Sequence, residues 1–296
     1  MKKCLKNIYN ISIFGIIYLK GVRIMTDEIS LTNESKFFMV IKSAVNCPGV
    51  KIDRRSFLKK ELSKYYDEEI VLEAINTNPA NAGIEISVID NIAKACINYE
   101  TNKVSGISAL AGIPGGIAMF GTVPADTAQY FVHIIRILQK LMYLYGWGDI
   151  LKENGEFDDE TQNQLTLFIG VMFGVNTANS AVTKLAQNVA LNFEKSLVSK
   201  SLTRGTIYPI VKKIARILGI KMTKQIFAKS VSKIIPIVGG GISGGLTYLT
   251  FKPSAINLKK HLRTLPNADV NFYKRNTVNI NDYSSNIVDV EFNDIY

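Results

Sequence analysis

The chain is poor in the residues that build reactive centres. Its 296 residues contain three cysteines, Cys4, Cys47 and Cys96, and two histidines, His133 and His261. A structural zinc or a disulfide framework needs such residues in pairs at short spacing, and no CxxC pair is present, so neither is implied. Sparse, unpaired thiols fit a reducing, cytoplasmic setting. Catalysis by an activated serine or cysteine needs a histidine base oriented by a third group, and only His133 lies in an apolar stretch, so no catalytic residue is assigned and no metal is expected. Nucleotide cofactors find no cradle either. Gly112-Ile113-Pro114-Gly115-Gly116 lacks the GxGxxG spacing, and the run Gly239 to Gly245 lacks the Lys-Ser/Thr pair of a phosphate loop and follows a helical pattern instead of a strand.

Acid is missing from one long window. Between Lys195 and Ala268 there is no aspartate or glutamate against fourteen lysines and arginines, whereas the rest of the chain carries 21 basic and 25 acidic residues. The net charge of +10 is therefore segregated, a pattern that seeks a polyanion or an anionic lipid surface. Two basic amphipathic helices are expected inside it. In Tyr208 to Leu218, Ile210, Val211, Ile214, Ile217 and Leu218 face one way and Lys212, Lys213 and Arg216 the other. In Thr223 to Ile234, Ile226, Phe227, Val231 and Ile234 turn inward, with Lys224, Lys229 and Lys233 outward. Only Arg204, Arg216 and Arg263 are arginines there, which disfavours base readout and hence nucleic acid as the partner.

Long uninterrupted apolar runs are also missing. Ile107 to Ala125 and Ile234 to Phe251 pass without a charge, but glycine and proline punctuate both, which favours short pieces or hairpins over one spanning helix. The N-terminal Met1 to Lys20 has a basic start and an apolar run but no small-residue cleavage site, so residues 1–24 read as an extension ahead of Met25 or a weak anchor.

What remains is helical pattern. Ser35 to Val45, Arg55 to Tyr66, Asp67 to Ile75 and Val88 to Tyr99 read as short amphipathic helices, with Lys51, Asp53, Arg54, Arg55 and Lys59 solvated. Pro124 opens a strong helix that runs to Tyr145 and stops at Gly146. Its polar residues Asp126, Gln129, His133, Arg136 and Lys140 recur at spacings of three and four and so form one narrow stripe. Asp126, Gln129, His133 and Arg136 could line a pocket for an acidic headgroup or metabolite; a buried seam satisfied by neighbouring helices is the commoner arrangement. A further helix from about Thr161 holds Gly170 and Gly174 as a small-xxx-small pair and continues through Ala178, Ala181 and Ala186. The only tryptophan, Trp147, fits either a membrane interface or the closure of a core. His261, directly after Lys259 and Lys260, is expected to be exposed. Residues 264–296 are Asn-rich and read as a peripheral or flexible tail.

Gly112-Ile-Pro-Gly-Gly, Pro124-Ala-Asp126, the helix end Tyr143-Leu-Tyr-Gly-Trp147, and Ile235-Pro236 before the Gly239 to Gly245 run together resemble the EcsC protein family of bacteria, over roughly Val45 to Leu262. The resemblance implies a helical protein, some of whose relatives are associated with an ABC transporter system, and supplies no activity and no catalytic residues. The expectation is an all-α, multi-helix bundle with glycine-rich apolar helical hairpins and basic amphipathic helices, its helical domain spanning 25–263. It is expected to bind anionic membrane lipids at the cytoplasmic face, with a membrane transporter as a further partner and bilayer insertion of the apolar segments as a variant. A soluble bundle holding a small apolar or acidic ligand is the competing expectation.

Overall fold

The computed structural model describes residues 37–38, 40–111, 125–152, 157–191, 210, 214 and 236–276, leaving aside the side chains of 107–111, 125–128, 188, 191 and 236–247. Among these residues the fold is all-α and contains no strand. Seven helices carry it: α1 Arg54–Leu62, α2 Glu68–Asn76, α3 Ile86–Ala111, α4 Ala125–Leu144, α5 Asp159–Met172, α6 Asn176–Leu191 and α7 Pro236–Arg263. Residues 40–45 are also helical, as the sequence pattern predicts.

Local chemistry sets the boundaries. The Asp53 carboxylate accepts a hydrogen bond from the Ser56 amide at 2.7 Å and caps α1, and Asp158 does the same for Thr161 at 3.0 Å on α5. Arg54, expected in solvent, instead reaches the end of α2 and donates to the carbonyls of Ala74 at 3.3 Å and Thr77 at 2.9 Å. Carbonyls at and just past a helix end lack helical partners, so a half-buried guanidinium replaces water there.

Two glycines end helices in the same way. At the close of α4, Trp147 N donates to Met142 O at 2.9 Å and Gly146 N to Tyr143 O at 3.4 Å, with Gly146 at φ +83°. At the close of α5, Val175 N donates to Gly170 O at 2.9 Å and Gly174 N to Val171 O at 3.0 Å, with Gly174 at φ +72°. Both are Schellman ends, which need a left-handed residue that glycine adopts without a Cβ penalty. Gly174 thereby corrects the sequence expectation of one helix through Ala186: the chain turns by 119° between Asp159–Met172 and Asn176–Gln187. Gly170 keeps its packing role, because a Cβ there would lie 2.7 Å from that of Ala178.

The core is continuous. α7 packs mainly on α3 and also crosses α4 and α5, while α3 lies against α4, and α5 against α6. From Gln164 to Met172 every residue of α5 is buried in protein. No single helix among the described residues is long and apolar enough to cross a membrane, although the bent pair α5–α6 passes that test by length and composition. Trp147 is fully buried, its ring edge-on to Phe168 at 5.0 Å, which places it in the core.

Three expectations shift. The glycine-rich run after Ile235 does not fold back: its backbone belongs to the single helix α7, which continues past Lys252 to Arg263. The first such segment continues α3 as far as Ala111, and residues 112–124 lie outside the described residues. The region after Thr264 begins inside the fold, since a 3-10 turn, Pro266–Ala268, buries Asn267 and Ala268, and 270–276 are helical. Asn267 Nδ2 donates to Tyr145 O at 2.9 Å, holding this turn against the end of α4. His261 is half-buried, and burial lowers its pKa.

Candidate functional site

The polar stripe of α4 meets a carboxylate on α3. Glu100 follows Ile92, Ala93, Cys96 and Ile97 on the apolar face of α3, and that register carries it to complete burial beside α4. Its Oε2 lies 2.6 Å from Nδ1 of His133. Its Oε1 accepts hydrogen bonds from Lys140 Nζ at 2.6 Å and Arg136 Nε at 3.3 Å. Gln129 Nε2 stands 3.4 Å from His133 Nε2, and Arg136 Nη1 also donates to the Gly49 carbonyl. Lys140 Nζ lies 5.1 Å from the centre of the Tyr99 ring. Gln139, also buried, receives the Ile52 amide at 3.0 Å and donates to Val50 O at 2.9 Å, tying the 49–52 loop to α4.

Of the four pocket candidates, Gln129, His133 and Arg136 are thus brought together, with Lys140 completing the row. Asp126 lies in the first turn of α4, and its side chain falls outside the described residues. Glu100, the residue that organises the group, was not among the candidates. The signal for it was present: an ionisable residue on an otherwise apolar helical face needs a partner, and a stripe ending in Arg136 and Lys140 needs an anion.

Burial pushes the Glu100 pKa up, but the hydrogen bonds from His133 and Lys140 and the charges of Lys140 and Arg136 outweigh it and bring it down to about 2. A carboxylate held so far below neutrality is a poor general base, since proton transfer is most effective with a pKa near the working pH. One turn earlier, burial raises the Cys96 thiol to about 11, so it stays protonated and weakly nucleophilic at neutral pH. Among the described residues, no group of three or more His, Cys, Asp or Glu side chains could hold a metal ion. The arrangement therefore acts as an ionic fastening between α3 and α4.

A second fastening draws on the acid-free window. Asp90 on α3 accepts the Tyr145 hydroxyl at 2.7 Å and pairs with Lys259 at 3.1 Å and Arg263 at 2.8 Å, both from α7. These two cations are taken up within the fold. Lys212, Lys213, Arg216, Lys224, Lys229 and Lys233 lie outside the described residues. Ile210 and Ile214, which the pattern turns inward, are on helical backbone, fully buried and packed at Gly170.

Elsewhere, an open groove of about 690 Å³ runs between the start of α3 and residues 263–274, with Glu85, Asp269, Arg263 and Lys274 on its walls. It carries both signs of charge and lies away from the α4 stripe. On α7, Leu249 is 68% exposed and Tyr248 39% exposed, and Lys252 Nζ donates to the Tyr248 hydroxyl at 2.9 Å.

Comparison of the chain with protein-family models, with curated proteins and with solved structures finds no match.

Proposed function

We propose that the chain is a non-enzymatic helical protein that binds an anionic lipid surface through its basic window, at the cytoplasmic face of the cell membrane. One observation carries the reading: fourteen basic residues and no acidic one between Lys195 and Ala268. A lysine near an anionic leaflet contributes about 1 kcal/mol, and stable anchoring needs two signals, here charge together with adjoining apolar surface. On the motif resemblance to the EcsC family alone, we further propose an accessory role beside a membrane transporter. The competing reading, a ligand held by Asp126, Gln129, His133 and Arg136, is weakened because the last three direct their hydrogen bonds to Glu100, to Gly49 and to one another.

Sedimentation of the full chain with vesicles tests this. Strong binding to vesicles containing anionic lipid, weakening as salt is raised, and weak binding to neutral ones is expected, because exposed charges are screened beyond about 10 Å at 0.1 M salt. Equal indifference to both compositions would overturn it.

A further inference from the structure

Resting on that surface reading, we propose that the outer face of α7 around Leu249 is the part of the fold that enters the lipid interface, and that it does so shallowly. Leu249 and Tyr248 are two of the few large apolar side chains left exposed among the described residues, and they are neighbours. They sit where the glycine-rich, uncharged first half of α7 gives way to its basic second half. About one and three turns on, the same outward face carries Pro253 and Lys260, and Lys252 stands beside it; this face holds no acid. At about 1.5 Å per residue, Lys260 lies some 16 Å along the axis from Leu249. An apolar tip followed by amines at that spacing suits a helix that rests in the headgroup region with its lysines at the phosphates.

Depth is limited by two features. Proline has no N–H, so Pro253 cannot supply the hydrogen bond that the Leu249 carbonyl would receive in an uninterrupted helix. A backbone carbonyl left in this way is costly in hydrocarbon and inexpensive among hydrated headgroups. Lys252, folded over the Tyr248 ring with its amine 5.1 Å from the centre, also needs a polar level close to Leu249. The occupant of this face is therefore an anionic bilayer surface.

The experiment uses the full chain carrying Leu249→Trp, with the unmodified chain supplying the background from buried Trp147, and vesicles with bromine placed high or low on the acyl chains. Quenching of the introduced indole by shallow bromine, and much less by deep bromine, is expected. Leu249→Asp should weaken binding to anionic vesicles about tenfold, the scale of losing one buried leucine side chain, with the Trp147 emission unchanged. Binding to anionic vesicles without quenching, or with unaltered affinity in Leu249→Asp, would overturn the assignment of this face and leave the surface reading standing. Absence of binding by the unmodified chain would overturn both.

Discussion

Nδ1 of His133 lies 2.6 Å from Oε2 of Glu100, and both side chains are closed off from solvent. With Lys140 and Arg136 on the other carboxylate oxygen, one acid on α3 meets three basic side chains of α4. Such a group contributes little net stability compared with an apolar core, but removing one member leaves the others buried without compensation. Glu100→Leu should therefore cost about 3–5 kcal/mol in urea unfolding, and adding Lys140→Met should restore a good part of it. A loss below about 1 kcal/mol for the single variant would mean that water or rearrangement already satisfies Lys140 and Arg136.

Acid should unfasten the same contact. The folded pKa of Glu100, about 2, lies below its ordinary value of 4.5, so the stabilisation is fully present above that ordinary value and is lost as pH falls towards 2. Asp90, also lowered, acts in the same direction: burial raises its pKa, but the hydrogen bonds from Tyr145, Arg263 and Lys259 prevail. Unfolding free energy measured from pH 6 down to pH 2 should fall, with Glu100 accounting for about 3 kcal/mol of it, and Glu100→Leu should flatten the profile.

The α4 stripe shows what spacing alone can disclose. Residues at intervals of three and four must share a face, so Gln129, His133 and Arg136 were identifiable without coordinates, as were the stop at Gly146 and the inward turn of Ile210 and Ile214. Glu100 was not, because its partners lie 33 to 40 residues away and its own neighbours spell an ordinary apolar face. The break at Gly174 was hidden for another reason: a glycine can serve close packing or a left-handed turn, and Gly170 and Gly174 divide these two roles between them. Leu265, Asn267 and Ala268 were assigned to the tail because their contacts are distant in sequence. The bond from Asn267 to Tyr145 spans 122 positions.

The two helix-ending glycines predict a graded response. Both are left-handed, so alanine is strained at either, at about 1 kcal/mol. At Gly174 nothing lies within 4 Å of an added Cβ, whereas at Gly146 the Asn267 carbonyl oxygen would be 2.2 Å away. That atom is backbone of the buried 3-10 turn and cannot swing aside as a flexible side chain would. Gly146→Ala should thus destabilise by about 3 kcal/mol and Gly174→Ala by about 1 kcal/mol in parallel urea titrations. Equal losses would mean that the turn at 266–268 yields without cost.

Trp147 offers a direct check on the core and on the lipid reading together. It is the only tryptophan, fully buried at the Schellman end of α4, and its edge-on contact with Phe168 ties that end to α5. An indole enclosed by protein emits at short wavelength and is shielded from acrylamide, and it should move to the red only when the fold opens. Anionic vesicles should therefore leave its emission and acrylamide quenching unchanged even when the chain is bound, because the proposed contact lies on α7 and not at the end of α4. If bromine-labelled lipids quench the unmodified protein, Trp147 must reach the bilayer. The α4–α5 junction would then have to open on binding, and the membrane contact would be an insertion of the core in place of a surface attachment.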